Sequence, residues 1–220
     1  MGFVTQLIMK HLILLMFPVV AIAVAAPDAS EHKSREESIG QLWQESLTAE
    51  TGGDAKIPLE KLGAFAKSGG DPYMVNLRAA WLNYSAQKYE EAIRYYVAAA
   101  KLQASALNPR LGLLNCAQAQ SNVAAAATAA EAVIKIEPTN YRALMAVAWG
   151  AFQAKDYRRA GSAYLRVLTL YPEDLDAMSG AAWSAFYTGQ KREARDGFRR
   201  LMSLSPDYTY ARQGIAATLN

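Results

Sequence analysis

YRALMAVAWGAFQAKDYRRAGSAYLRVLTLYPED, running from Tyr141 to Asp174, is 34 residues long, and its reading decides the fold. The first half, Arg142 to Ala154, is rich in Ala, Leu, Met, Val, Trp and Phe and contains no proline. Lys155 and Asp156 form a polar break. Tyr157 to Tyr171 is a second helical stretch, and Pro172 closes it, because proline lacks an N–H and disfavours helix just before itself. The segment therefore reads as helix, short turn, helix. Ala148 lies midway along the first helix and Ala160 near the start of the second. Side chains this small let two antiparallel helices approach closely. Tyr164, four residues after Ala160, shares its face and supplies the large partner.

The segment is not unique in the chain. Ala92, Ala126, Ala160 and Ala194 stand 34 residues apart. Ala80, Leu114, Ala148 and Ala182 keep the same step, as do Tyr96, Ala130, Tyr164 and Phe198, and Trp81, Asn115, Trp149 and Trp183. Pro138, Pro172 and Pro206 mark the ends. A fixed period between 20 and 50 residues is the signature of stacked repeats, each copy burying the apolar face of its neighbour.

This pattern resembles the tetratricopeptide repeat family over about Tyr73 to Tyr208. That family has small residues in the middle of helix one and early in helix two, an aromatic four residues later, and proline at the end. The departures are local. Asn76, Arg110, Leu144 and Met178 replace the aromatic common early in helix one. Ala104 stands where the first copy would have proline, and Ala130 where the second would have its aromatic. The resemblance implies an all-α fold: a right-handed superhelical solenoid of four helix pairs, at 73–106, 107–140, 141–174 and 175–208, with helical caps at both ends. It also implies a non-catalytic binding scaffold, and the bacterial envelope as its setting.

Composition narrows the function. The formal charge is +3, and +2 without residues 1–25, too balanced to point to nucleic acid. The single cysteine, Cys116, falls within the first helix of copy two and reads as a small buried residue. The two histidines, His11 and His32, both precede the repeats. Neither a Ser-His-Asp arrangement nor a His/Cys zinc site can be assembled inside the array, so no catalytic residue, metal or cofactor is expected.

Residues 1–25 read as a signal peptide. Lys10 and His11 precede the uncharged run Leu12 to Ala26, and Ala23-Val24-Ala25 is a small-x-small cleavage pattern. The rival is an uncleaved N-terminal anchor. Either places the repeats across the membrane from the cytoplasm: periplasmic or secreted, or held at the inner membrane facing the periplasm. Residues 26–33 read as a polar linker. A capping pair of helices is expected over 34–72, opening on the capping-box spacing Ser34 to Glu37. It presents Ile39, Leu42, Trp43 and Leu47, then Leu59, Leu62 and Phe65 after Pro58. A turn is expected at Thr51 to Asp54. Residues 209–220 read as a closing helix that covers copy four.

Helical angles separate two faces on each first helix. In copy three, Leu144, Ala148 and Ala151 point to the second helix, while Met145, Trp149 and Phe152 cluster elsewhere. In a tetratricopeptide-like superhelix the second face lines the concave groove. The candidate partner-binding residues are Leu77, Trp81 and Tyr84; Leu111 and Asn115; Arg142 on the rim with Met145, Trp149 and Phe152; and Trp183, Phe186 and Tyr187. Packing between neighbouring first helices is the competing reading of this stripe. The groove reading draws on the large contact area that Trp and Tyr offer at low entropic cost, and it fits a protein or peptide partner. Self-assembly through the same face is the alternative, and membrane proximity rests on residues 1–26. The Lys, Arg and Asn clamp with which some family members grip a carboxylate is matched only by Asn115. Arg158, Arg159, Arg166, Lys191, Arg192, Arg195, Arg199 and Arg200 read as a solvated outer face, with an acidic partner or lipid headgroups as the second reading.

Overall fold

The structure, a computed structural model, describes residues 29–49 and 55–219. The leader or anchor expected over residues 1–25 and the turn expected at Thr51 to Asp54 lie outside them. Among the described residues there are eleven helices and no strand. They are α1 (Ala29–Thr48), α2 (Lys56–Lys67), α3 (Pro72–Ser85), α4 (Tyr89–Leu102), α5 (Asn108–Ala119), α6 (Val123–Ile134), α7 (Tyr141–Gln153), α8 (Tyr157–Leu170), α9 (Leu175–Tyr187), α10 (Lys191–Leu204) and α11 (Thr209–Leu219). From α3 to α10 they form four antiparallel pairs.

The chain divides into two compact units, one reaching Glu37 and the other beginning at Ser38. In the first, the described residues are the opening turns of α1, with His32 Nδ1 3.4 Å from Glu36 Oε1. The described part of α1 is already helical at Ala29, five residues before the expected cap. Residues 29–33, read as linker, are helical, and Ser34 lies inside the helix rather than at its start. Nothing in Ala29-Ser30-Glu31-His32-Lys33 breaks a helix, which is the physical reason for the difference.

The second unit is a solenoid. Its core is a series of small cores rather than one. Leu62, Phe65, Ala79 and Leu82 bury under Ile39, Leu42 and Trp43. Ala80, Ala92, Tyr96 and Cys116 form the next. Leu114, Ala126, Ala130 and Val133 follow, then Leu144, Ala148, Ala160 and Tyr164. Ala182, Ala194, Phe198 and Ala211 close the series. Each core lies where one helix pair meets the first helix of the next, as expected for an array whose copies contact only their neighbours. Cys116 is fully buried, and burial pushes its thiol up to about 11, which makes it a poor nucleophile.

A second column of residues sets the turns. Gln87, Ser121, Lys155 and Gly189, again 34 apart, take left-handed backbone angles, with φ of +60°, +54°, +60° and +81°. The N–H of the following residue in each copy bonds back to the carbonyl five residues earlier: Lys88 to Asn83, Asn122 to Ala117, Asp156 to Ala151, Gln190 to Ala185, at 2.8–2.9 Å. This is the Schellman ending, which satisfies the open carbonyls of the first helix and turns the chain into the second. Asn122 and Asp156 then cap α6 and α8 with their side chains.

A third column fixes the spacing between copies. Gly112 faces the Tyr96 ring, Gly180 the Tyr164 ring and Gly214 the Phe198 ring; a Cβ at any of the three would overlap the ring. In the remaining copy the aromatic is replaced by Ala130 and the glycine by Ala146, both in one core. Large faces none, and small faces small. Since Gly214 belongs to α11, the closing helix occupies the place of a fifth first helix.

Candidate functional site

The stripe of exposed rings resolves into two grooves on the first helices. The larger, about 720 Å³, lies along α7, α9 and α11. Met145, Trp149 and Phe152 come from α7, and Trp183 and Tyr187 from α9. Trp149 is stacked on Phe152 with ring centres 5.9 Å apart, and Trp183 on Tyr187 at 5.9 Å. Tyr187 also stacks on Tyr157 at 4.5 Å and meets Phe152 edge-on at 6.0 Å. The wall is thus a continuous sheet of rings, yet Trp149 is 46% exposed and Tyr187 50%.

Two charged side chains line this groove, and both are held by neutral ones. Arg142 Nη2 donates to Asn115 Oδ1 at 2.6 Å and Gln118 Oε1 at 2.7 Å. Tyr208 donates its hydroxyl to Asp176 Oδ1 at 2.8 Å. Burial, then that hydrogen bond, pushes the Tyr208 phenol up to about 12. Nearby, Tyr141 donates to Asp174 Oδ2 at 2.7 Å, and this bond is the first cause of its rise to about 12. Asp174 also caps α9 by accepting from the Ala177 N–H.

The smaller groove, about 370 Å³, gathers Leu77, Trp81, Leu111 and Asn115 with Trp43 and Arg78. Trp81 is 43% exposed, and the Arg78 guanidinium lies 5.1 Å from its ring centre. Asn115 lines this groove and Gln118 the other, so the bridge from Arg142 stands at their junction. Trp149 and Trp183 share one wall as the sequence reading expects, whereas Trp81 occupies a separate one. Tyr84 and Phe186 line neither groove. Tyr84 packs on its core beside Tyr89, and Phe186 on the core of α9 and α10. Gln118 and Phe152, which keep the same 34-residue step, do line the larger groove.

Sequence reasoning did not anticipate Asp176, Tyr208, Tyr210 and Gln213 in the larger groove. They come from the start of α9 and from the closing helix and its approach. The signal lay in the glycine column, because Gly214 in step with Gly112 and Gly180 sets α11 beside α9 as one more first helix. Among the described residues, no group of three His, Cys, Asp or Glu side chains comes together as a metal site requires, and no helix is long and apolar enough to cross a membrane.

Fold and repeat together define a protein of stacked helix pairs. The sequence profile described as the tetratricopeptide repeat matches residues 176–208. That match falls on the fourth copy, and the solenoid as a whole has the tetratricopeptide repeat fold. No curated protein matches it in sequence. Solved structures share the fold at low identity. YrrB, described as a TPR protein with an unusual peptide-binding site, has a TM-score of 0.65 at 13% identity, covering 86% of this chain and 98% of that one. A tetratricopeptide repeat protein from Parabacteroides merdae gives 0.64 at 18%, over 83% and 72%. MamA from Desulfovibrio magneticus RS-1 gives 0.58 at 17%, over 68% and 84%.

Proposed function

We propose that the chain is a non-catalytic scaffold of the bacterial cell envelope, holding an extended or helical peptide of a partner protein in the groove of α7, α9 and α11. The observation that carries this is the half-exposed sheet of rings. The solenoid already closes its cores with other residues, so Trp149 and Tyr187 are left facing outward without a packing role that requires them. Aromatic side chains of this kind dominate binding energy where a partner excludes water from them. The two held charges add direction: a partner acid suits Arg142, and a partner base suits Asp176. The same-fold protein YrrB, with its peptide-binding site, supports a peptide as the occupant. Export is supported by the apolar run Leu12 to Ala26 behind Lys10 and His11, and Ala26 as the first residue of the mature chain is its check.

Trp183 is half-buried and meets Phe198 at 5.1 Å, so its removal would disturb the core. Trp149→Ala with Tyr187→Ala is the cleaner probe. In cells, crosslinking of the full chain should capture a defined prey that this double variant loses while its helicity by circular dichroism is unchanged. Equal capture by both forms would remove the groove from the function. Self-assembly is the second reading, favoured by the same exposed rings. Light scattering that reports a monomer at all concentrations would remove it.

A further inference from the structure

A second recess lies on the other side of α9. On that helix Ser179, Trp183 and Tyr187 line the aromatic groove, whereas Ala181, Ser184 and Thr188 line a groove bounded by α8 and α10. With Asp176 and Gly180 added to the first face and Met178, Ala182 and Ala185 to the second, the centres of the two faces are about 160° apart at ~100° per residue, so the sites are back to back. The outer groove has about the same volume, about 720 Å³. Its floor is built from small residues: Gly161 of α8, Ser184 of α9 and Gly197 of α10. Leu165 stands in its wall 59% exposed, with Leu168 beside it.

The charge around this recess is predominantly basic. α8 carries Arg158, Arg159 and Arg166 and no acid, while α10 carries five basic and two acidic residues. α4 is balanced, and α6 has only Glu131. The basic excess thus belongs to the two helices that form the groove. Much of it is engaged elsewhere. Arg159 pairs with Glu131, Arg166 donates to the Pro138 carbonyl, Arg195 to Thr218, and Arg199 lies 3.9 Å from Asp196. Arg158 and Arg200, one from each side, line the groove; their carbonyls accept from Ser162 and Ser203, and their guanidinium groups make no hydrogen bond or ion pair among the described residues. Glu193 is the acid that lines it.

We propose that this outer groove is a second docking site, for an acidic amphipathic peptide segment of a partner protein. The segment sets an apolar side chain against Leu165 and Leu168 and its carboxylates on Arg158 and Arg200. Opposite charge at the rim steers and registers the segment, and the recess supplies the apolar burial. A flat anionic lipid layer would reach the two arginines but leave the recess between them uncovered, which is why a peptide fits better. The two sites, on opposite faces of α9, leave room for two partners at once.

The test uses the full chain and a fluorescent peptide of about 12 residues with Glu and Leu at helical spacing, read by anisotropy at low and at about 0.5 M salt. Two control peptides replace its Glu by Lys and its Leu by Ser. The Glu/Leu peptide should bind, and more weakly at high salt. Arg158→Glu with Arg200→Glu should weaken it by about tenfold or more, and Leu165→Glu should do the same. All three positions are exposed, so helicity should hold, and Trp149→Ala should leave this binding unchanged. No binding, or binding indifferent to these substitutions, overturns the proposal. So does equal binding of the Ser peptide, which would reduce the site to charge alone. Loss in the variants of adhesion to phosphatidylglycerol vesicles, with peptide binding intact, would assign the face to lipid. Loss of a self-associated form would assign it to a second copy.

Discussion

At the scale of single residues, an alanine at position 180 would drive its methyl into the Tyr164 ring, and the solenoid would have to open there. Overpacking of this kind costs roughly 1–3 kcal/mol, so Gly180→Ala should lower the urea midpoint. Tyr164→Ala should cost about 3–5 kcal/mol by leaving a cavity. Combined, the two substitutions recreate the pairing that the chain already uses at Ala130 and Ala146, where small meets small. The double variant should therefore be more stable than the sum of the single effects allows. Strict additivity would mean that ring and glycine do not determine each other. The same column explains a departure from the repeat pattern, since the missing aromatic at Ala130 is matched by the gain of a side chain at Ala146.

At the scale of helix pairs, three of the four turns hold a side chain where the backbone favours glycine. Gln87, Ser121 and Lys155 sit at φ between +54° and +60°, and the fourth copy has Gly189. A left-handed angle costs a residue with a Cβ about 1–2 kcal/mol, offset in part by the extra freedom that glycine has when unfolded. Lys155→Gly should then stabilise by up to about 1 kcal/mol, and Gly189→Ala should destabilise by a similar amount. Urea unfolding of the two variants checks both signs; Lys155→Gly lowering stability would contradict the assignment. This column also shows where reading from residue types stops. The alanine, aromatic and tryptophan columns are legible because each keeps one chemistry in at least three of the four copies. Gln, Ser, Lys and Gly share no chemistry, only a backbone angle, so although Lys155 and Asp156 mark the turn as a polar break, its left-handed angle is invisible until φ is known. The groove divides in the same way. Trp149 and Trp183 follow from helical angle, but the bridge of Arg142 to Asn115 and Gln118 depends on side-chain direction across two copies. That helix already runs through Ala29 to Lys33 was hidden for a different reason: Ser34 with Glu37 has the spacing of a cap, and nothing local says that an earlier start is better.

Across the whole molecule, four tyrosines link the stacked cores to pH. Tyr96 and Tyr164 are pushed up to about 12 chiefly by burial, Tyr208 by burial and its bond to Asp176, and Tyr141 by its bond to Asp174. The ordinary value in an unfolded chain is 10.0. A group whose folded value is raised holds its proton longer in the native state. Its contribution to stability is therefore complete below pH 10 and is lost as pH rises towards 12. Because neighbouring cores support one another in series, losing the proton at one link weakens the next. The urea midpoint should stay level with respect to these tyrosines from pH 8 to 9 and fall steeply by pH 11. Absorbance at about 295 nm should report a set of phenols that ionise only as helicity is lost. Phe198 holds the equivalent place in copy four without a hydroxyl, so Tyr96→Phe with Tyr164→Phe keeps the ring contacts on Gly112 and Gly180. That double variant should match the parent near neutrality and lose less stability between pH 10 and 12. If its alkaline limb coincides with the parent's, or if every tyrosine ionises while the helices stay intact, the rings are not holding the cores through their buried protons.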